Sequence, residues 1–249
     1  MKEDSLNCAL VLGASGGIGL ALVRELLEDP RLDKIIAVSR QPKPENIEWG
    51  ASRTKILWIQ CRYNEVSMTD TVLQLSPYKG QFSRVCICHG VLHQGDIQPE
   101  KRLEDINETS MQSVLHSNVV IPSLWLKLLF DFLKGQNNCI LIALSARVGS
   151  IGDNKLGGWY AYRASKSALN MVMKTAAIEY SRRAKNVKLI AFHPGTTDTN
   201  LSKPFQKRVA EDKLFTPSFV AKQLTEIMNH ASVDGQLSFL DWAGKSIDW

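Results

Sequence analysis

Two residues four apart in the sequence, Tyr162 and Lys166, have types and spacing that most directly suggest chemistry. They lie at the start of a predicted helix, where residues i and i+4 share a face, so both side chains can point into one site. A nearby ammonium group stabilises a tyrosinate and lowers the pKa of the phenol. A tyrosine tuned in this way can give a proton to a carbonyl oxygen, or take one in the reverse reaction.

A glycine-rich segment near the N-terminus is typical of a phosphate-binding loop. After the apolar run Cys8–Leu12, the chain reads Gly-Ala-Ser-Gly-Gly-Ile-Gly and continues into an amphipathic stretch. In such a loop, backbone N–H groups approach a pyrophosphate, and the helix N-terminus adds its partial positive charge. The segment predicts a dinucleotide site, although a tight turn without a ligand has a similar composition. Its candidate ligand-binding residues are Gly13, Ser15, Gly16, Gly17, Ile18 and Gly19.

The end of the second predicted strand indicates which dinucleotide binds. Ser39 and Arg40 stand where NAD sites place an acidic residue, about 20 residues past the glycines. A hydroxyl and a guanidinium suit a 2′-phosphate, and no acid is present there to repel it. The sequence therefore predicts NADP as cofactor, with NADPH preferred over NADH. The alternative is that Arg40 is an ordinary surface arginine.

Apolar runs alternate with amphipathic stretches along the whole chain. Several runs are continuously apolar, which is typical of parallel strands covered on both faces. The alternation, without a linker or repeat, predicts an α/β fold: a single doubly wound Rossmann domain over residues 1–249, with about seven parallel strands and helices on both faces. The predicted strands are Cys8–Leu12, Lys34–Ser39, Ile56–Cys61, Val85–Cys88, Cys139–Leu144, Val187–Phe192 and Leu237–Leu240.

Helical periodicity marks three stretches, Gly17–Leu27, Asn107–Leu133 and Arg163–Ser181. The segment Gln41–Lys55 contains two prolines, so a loop or a short turn of helix is expected there. The segment Leu201–Phe215 mixes Lys, Pro and Phe, and we expect it to form a mobile lid that selects the substrate.

Composition narrows the class of protein. With 44% hydrophobic residues and a net charge of +5, long disorder is not expected. The apolar stretch Ile121–Leu133 is interrupted by charges and is shorter than a membrane span, and no signal-peptide core is evident, so a cytoplasmic protein without a membrane partner is expected. Basic residues are scattered, which argues against a nucleic-acid partner. The five cysteines include no CxxC pair and are expected to be buried thiols, not metal ligands.

These motifs, in this order, resemble those of the short-chain dehydrogenases/reductases over the whole chain. The resemblance includes the glycine loop, Asn118 in the long helix, the Tyr162/Lys166 pair and the segment Pro194–Thr199. More narrowly, the chain resembles the C-factor/Sniffer-like carbonyl reductases. That match rests on GGWYAYRASKSALN from residue 157, LSKPF from residue 201 and the closing DWAGKSIDW.

The resemblance implies an NADP-dependent oxidoreductase that transfers hydride between nicotinamide and a small carbonyl or alcohol substrate. Tyr162 would be the acid/base, Lys166 would hold the nicotinamide ribose, and Asn118 would bind a water in a proton relay through its backbone. The segment after the sixth strand would hold the cofactor through Pro194, Gly195, Thr197 and Thr199. A homodimer or homotetramer is also implied. The alternative is a non-enzymatic or weakly active nucleotide-binding protein with a C-factor-like signalling role.

One departure from the family pattern concerns the catalytic serine. The serine expected three residues before Gly149 is Ala146, and Ser145 is one residue too early. Because adjacent side chains on a strand point to opposite faces, Ser145 can replace the serine only if a bulge re-aims it. Otherwise the site depends on Tyr162 and Lys166 alone, and losing one preorganised donor costs on the order of 10²–10³-fold in rate.

Two further departures affect the cofactor side. The NNAG motif retains only Gly90, which still lets the backbone approach the cofactor. We expect His89 before it, and His93 after it, to be packed or pocket-wall residues; a ligand-side acid/base role for His89 is the alternative. The usual Asp-Val after the third strand is replaced by Arg62 and Tyr63. Arginine cannot accept the adenine amino proton, but Arg62 or Tyr63 can stack on the ring.

Overall fold

The computed structural model describes residues 6–45, 49 and 55–249. Among these residues, seven strands form one parallel sheet in the order β3-β2-β1-β4-β5-β6-β9, and two short strands, β7 and β8, pair separately. The strands are β1 Cys8–Leu12, β2 Lys34–Ser39, β3 Ile56–Gln60, β4 Phe82–Ile87, β5 Cys139–Leu144, β6 Val187–His193, β7 Thr196–Thr197, β8 Leu214–Phe215 and β9 Leu237–Asp241. The predicted fold class is confirmed.

Helices cover both faces of this sheet. The helices are α1 Gly17–Leu27, α2 Glu65–Gln74, α3 Glu108–Leu115, α4 Ile121–Leu133, α5 Tyr160–Arg183 and α6 Pro217–His230. A π-helical turn, His116–Val120, joins α3 to α4 into one helical run.

Along each strand, side chains alternate between the two faces of the sheet and so contribute to two separate hydrophobic cores. In β1, Leu10 and Leu12 pack with Trp125 of α4, on the face that also carries α2 and α5. Ala9 and Val11 point to the opposite face, which α1 and α6 cover. Burial on both faces explains why the strand sequences are continuously apolar.

The order of the strands defines a crevice at the carboxyl edge of the sheet. β1 pairs in parallel with both β2 and β4, so the chain progresses outward in opposite directions on its two sides. Ligands of open α/β sheets bind at such a switch point, where the loops after adjacent strands diverge. The loops that carry the predicted site residues all follow strands at this edge.

Most element boundaries agree with the sequence predictions. α1 is as predicted, α5 extends the predicted helix by a few residues at each end, and α2 and α6 were not predicted. α2 is a mostly polar helix that buries Met68, Thr71 and Val72, so its apolar periodicity is weak. The expected loop Gln41–Lys55 lies partly outside the described residues.

The helical run Glu108–Leu133 is long and apolar enough to cross a membrane by length and composition alone. Part of its apolar surface packs in the core, where Trp125 and Leu129 are fully buried. A core helix is expected to meet the same criteria of length and composition.

Candidate active site

The first two turns of α5 place Tyr162 and Lys166 side by side in the crevice. Tyr162 is 8% exposed and Lys166 only 2%, and the lysine Nζ lies 5.6 Å from the centre of the tyrosine ring. The i, i+4 spacing therefore brings the two groups together as the sequence predicted.

An unusual left-handed turn starts α5 and sets its direction. Gly157, Gly158 and Trp159 have φ values of +65°, +66° and +54°. The buried Glu100 holds the turn, because its carbonyl accepts the Trp159 N–H at 2.5 Å and its carboxylate accepts the Ala161 N–H at 3.1 Å. Left-handed backbone is unfavourable for tryptophan, so these contacts fix a strained conformation. Glu100 carries no sequence motif that could have identified it.

Lys166 is fixed by the end of β5 and by two glycines. Its Nζ donates to the Leu144 carbonyl at 2.8 Å. A Cβ on Gly90 would lie 3.5 Å from this Nζ, which places the loop after β4 against the lysine. A Cβ on Gly149 would lie 2.8 Å from the Lys166 carbonyl carbon, so a side chain at this position would clash with α5. Only glycine lets the turn after β5 come this close to the helix.

Asn118 lies in the π-helical turn and is fully buried. Its Oδ1 accepts the Val91 N–H at 2.7 Å, and its Nδ2 donates to the Val91 carbonyl and to Ser165 Oγ, each at 2.9 Å. Ser165 Oγ in turn donates to the Tyr162 carbonyl at 2.7 Å. The Asn118 side chain thus ties the loop after β4 to the first turn of α5, and any water relay would use its backbone.

Ala146 and Ser145 occupy different environments. Ala146 packs with Leu92 and Tyr162 in a small apolar cluster. Ser145 is 3% exposed, and its hydroxyl donates to Asn170 Oδ1 of α5 at 2.6 Å. Both residues therefore contact α5, Ala146 at Tyr162 and the Ser145 hydroxyl at Asn170, about two turns further along the helix.

Burial shifts the pKa values of both central groups. Desolvation raises the pKa of Tyr162 well above its usual value and lowers the pKa of Lys166 to about 8. The sequence predicted that the ammonium lowers the tyrosine pKa, whereas burial of the phenol, which raises this pKa, is the dominant effect. Tyr162 therefore holds its proton at neutral pH, and Lys166 is largely charged there.

The glycine loop meets the requirements of a phosphate cradle. Ser15, Gly16 and Gly17 are exposed, and no side chain caps the N-terminus of α1. A Cβ on Gly17 would lie 2.6 Å from Thr199 Cγ2, so the segment after β6 crosses directly over the loop. The uncapped N–H groups and the absence of acid in the first turn of α1 suit a pyrophosphate. Gly13, Ile18 and Gly19 complete this strand–loop–helix connection.

The two predicted 2′-phosphate residues differ in accessibility. Ser39 is fully buried, and its hydroxyl accepts the Gln41 N–H at 2.9 Å. Arg40 is exposed at the carboxyl end of β2. Arg40 is thus the member of the pair whose side chain is open to a ligand.

The segment after β6 folds back along the same crevice. Gly195 adopts φ +71°, with the Phe215 ring where a Cβ would lie. Thr197 is buried, with its Oγ1 3.5 Å from the Pro194 carbonyl. This turn brings Thr199 over the glycine loop, so the predicted cofactor residues from β1 and β6 meet.

Aromatic and aliphatic side chains line the substrate side of Tyr162. Trp159 lies 6.2 Å from Tyr162 and 5.1 Å from Phe205, ring centre to ring centre. Leu201 packs on the same cluster. His93 contacts Phe205 by an edge-to-face ring contact, and its Nε2 bonds the Asn200 carbonyl at 3.0 Å. The segment Leu201–Phe215, expected to be a lid, thus packs two of its residues, Leu201 and Phe205, on the cluster that contains Tyr162.

Neither the histidines nor the cysteines of the described chain form a metal site. Burial lowers the pKa of His89 to about 3, and its Nε2 accepts the Trp125 indole N–H at 3.1 Å. His89 is thus a neutral packed residue in this structure. All five cysteines are free thiols, four of them buried.

The sequence profile of the short chain dehydrogenase family matches residues 7–210. The chain is therefore a member of the short-chain dehydrogenase family. This assignment agrees with its fold, its glycine loop and its Tyr162/Lys166 pair. Members of this family are oxidoreductases that use a nicotinamide cofactor.

Similar proteins include benzil reductase ((S)-benzoin forming) of Bacillus cereus, 24% identical over 243 residues, covering 90% of this chain and 94% of the relative. The C-signal protein of Myxococcus xanthus is 26% identical over 106 residues, covering 43% and 58%. Among solved structures, the NADPH-bound carbonyl reductase from chicken fatty liver has a TM-score of 0.81 at 21% identity, covering 98% and 99%. The carbonyl reductase Sniffer of Drosophila melanogaster has a TM-score of 0.80 at 19% identity, covering 98% and 100%. The predicted resemblance is confirmed, and the structural likenesses show the shared fold.

Proposed function

We propose that this protein is an NADPH-dependent reductase of apolar carbonyl compounds, with Tyr162 as the proton donor. The observation that carries the proposal is the placement of Tyr162 and Lys166, both buried, at the same edge of the sheet as the glycine loop, whose helix N-terminus no side chain caps. The NADPH-bound carbonyl reductase from chicken fatty liver, among the structural neighbours, and the benzil reductase relative support the same reaction class.

The residues present fit NADPH. Backbone N–H groups of residues 15–17 would hold the pyrophosphate, Arg40 the 2′-phosphate, and Thr197 and Thr199 the nicotinamide half. When bound, the cofactor supplies a hydride for a carbonyl carbon. NADH lacks the 2′-phosphate that the positive charge of Arg40 would bind. This difference is the physical basis of the proposed preference for NADPH.

The protein's own residues handle the proton. Tyr162, protonated because of its raised pKa, donates its phenolic proton to the substrate oxygen as negative charge develops there. Lys166, held by the Leu144 carbonyl, places its positive charge near the tyrosinate that remains. Asn118 fixes the turn of α5 from which Tyr162 projects, through Ser165.

The wall around Tyr162 argues for an apolar substrate. Its side chains include Leu92, Trp159, Leu201 and Phe205, none of which carries a charge. Aromatic rings favour edge-to-face contact with a substrate ring. A ketone with an aromatic or bulky apolar group beside the carbonyl fits this wall.

Consumption of NADPH with a panel of aldehydes, ketones and quinones tests the proposal. We expect turnover by the wild type, and a loss of about 10²–10⁴-fold in kcat for Tyr162→Phe. Tyr160→Phe is the matched control, since this neighbouring tyrosine has Ala164, not lysine, four residues on. Equal turnover by the wild type and Tyr162→Phe would contradict the assignment.

The second candidate is a nucleotide-binding protein with a signalling role. Ala146 beside Tyr162 leaves one fewer hydroxyl in the site, and the C-signal protein is among the relatives. NADPH binding without turnover of any carbonyl compound in the panel would favour this candidate.

A further inference from the structure

The side chain of Tyr63 passes beneath the glycine loop, at the junction of three strands. Its hydroxyl accepts the Gly13 N–H at 3.1 Å and donates to the Val38 carbonyl at 3.1 Å. Gly13 follows β1, Val38 is the second-last residue of β2, and Tyr63 follows β3. One hydroxyl therefore joins the loop at the pyrophosphate to the strand that leads to Arg40.

The backbone of Tyr63 is bent to make this contact. Its φ is +61°, a left-handed conformation that a bulky residue rarely adopts. Strained residues of this kind persist where surrounding contacts hold them, and they cluster at functional sites. The ring is 7% exposed and is packed within the core that includes Trp125.

His89, which has no part in the proposed proton transfer, also contacts the Tyr63 ring. His89 meets the Tyr63 ring edge-on, with 4.3 Å between the ring centres. The His89 Nε2 accepts the Trp125 indole N–H, so a neutral His89 carries its proton on Nδ1. The contacts run from α4 through Trp125, His89 and Tyr63 to the glycine loop.

Without the Tyr63 hydroxyl, the Gly13 N–H and the Val38 carbonyl would each keep another hydrogen-bond partner. The Gly13 N–H also reaches the Val38 carbonyl at 2.9 Å, and that carbonyl accepts the Ala14 N–H at 3.0 Å. Removing the Tyr63 hydroxyl therefore leaves neither backbone group unpaired. Its remaining effect is geometric, because it restrains the loop whose N–H groups would face the pyrophosphate.

We propose that Tyr63 is a positioning residue for the dinucleotide, and that the contact chain from Trp125 through His89 holds the glycine loop in its binding conformation. The inference rests on the proposed function, because it requires that this loop binds NADPH. Tyr63 acts on the pyrophosphate end, which NADPH and NADH share. Its loss should weaken both cofactors by the same factor.

The test is a titration of wild type, Tyr63→Phe and Tyr180→Phe with NADPH and with NADH, with the melting temperature measured on each protein. Tyr180 is the matched control, since it is also a buried tyrosine, and its hydroxyl donates to the Leu126 carbonyl at 2.9 Å, between α5 and α4. We expect Tyr63→Phe to raise both dissociation constants about tenfold, because a less restrained loop must be ordered when the cofactor binds. We expect kcat at saturating cofactor to stay within about twofold, and both variants to melt at similar temperatures.

The outcomes separate the inference from the proposed function. A wild type that binds neither cofactor would overturn the proposed function, and this inference with it. A wild type that binds while Tyr63→Phe binds equally well would overturn the inference alone. Weaker binding with a melting temperature far below that of Tyr180→Phe would assign Tyr63 a structural role and would also overturn it. Trp125→Phe gives an independent variant, since it removes the N–H that orients His89 and should weaken both cofactors in parallel.

Arg40→Asp provides the contrasting pattern within the same titration. The exposed guanidinium would meet only the 2′-phosphate, so its replacement should weaken NADPH and spare NADH. A parallel loss in Tyr63→Phe, beside a selective loss in Arg40→Asp, would support the assignment of the hydroxyl to the shared pyrophosphate end. A selective loss of NADPH in Tyr63→Phe would overturn it.

Discussion

The two central side chains carry opposite consequences of burial. The phenol of Tyr162 is kept protonated, while the ammonium of Lys166 loses its proton near pH 8. A proton donor that needs a neighbouring positive charge should therefore work below that pH and fail above it.

The pH profile of carbonyl reduction follows from the lysine. Lys166 is charged below its pKa of about 8 and neutral above it, so kcat should fall as the pH rises through that value. Lys166→Arg retains the charge at high pH and should remove this alkaline limb, at whatever rate the variant works. Stopped-flow or steady-state rates from pH 6 to pH 10, at saturating NADPH, measure this. A wild-type kcat that stays constant to pH 10 would contradict the role of Lys166.

Substitutions at Ala146 and Ser145 together test which of the two positions can supply a hydroxyl to the substrate. Ala146 packs with Tyr162, so a hydroxyl placed there by Ala146→Ser would add a donor on the substrate side. Since one preorganised donor is worth on the order of 10²–10³-fold, we expect kcat to rise by at least about tenfold. Ser145→Ala, which removes the hydrogen bond to Asn170, should lower the melting temperature and change kcat little.

The opposite pattern in this pair would reassign the serine. If kcat collapsed in Ser145→Ala and did not change in Ala146→Ser, the Ser145 hydroxyl would be the donor to the substrate. Rate and melting temperature on the two purified variants are sufficient to decide.

Among the elements, the connections at the carboxyl edge of the sheet position the site. The turn after β5 approaches α5 at Gly149, the π-helical turn carries Asn118, and the left-handed turn at Trp159 starts α5. Each connection holds a side chain by contact with a neighbouring element. A change in any of them should reach Tyr162 through the backbone.

Gly149→Ala tests this dependence. Its methyl group would lie 2.8 Å from two atoms of Lys166, both close to the backbone, so the turn must move away from α5. We expect a loss of about 1–3 kcal/mol in the free energy of unfolding, and a lower kcat. Gly152→Ala, in the same segment, is the control, because its methyl group would lie 3.3 Å from the Trp249 carbonyl and needs only a small shift. Equal unfolding free energies for the two variants, from denaturant titration, would contradict the close approach.

The sequence predicted the strands well because their apolar runs are continuous and each ends at a loop. It also predicted that the Tyr162 and Lys166 side chains lie together, since i, i+4 spacing is local. It could not predict the roles of Glu100 or Tyr63, because these depend on contacts between residues 50 to 61 positions apart. The direction of the Tyr162 pKa shift was missed for the same reason, because burial is a property of the assembled fold.

At the scale of the whole molecule, the fold brings five strand ends and two helix starts to one crevice. The glycine loop lies after β1, Arg40 after β2, and Gly90 after β4. The turn after β5 and the segment after β6 enclose the other side, where Trp159 and Phe205 meet above Tyr162. This arrangement places the glycine loop and Arg40 on one side of the crevice and an apolar wall on the other, which suits the proposed reduction of apolar carbonyl compounds.

The most direct measurement is deuterium transfer from two forms of NADPH, each labelled at C4 on a different face of the nicotinamide ring. We expect wild-type protein to produce an alcohol with one deuterium on the former carbonyl carbon, from the label on one face of the ring only. Mass spectrometry of the product, with unlabelled NADPH and with Tyr162→Phe as controls, measures it. An alcohol free of deuterium from both labelled forms, in a reaction that consumes NADPH, would contradict direct reduction in this crevice.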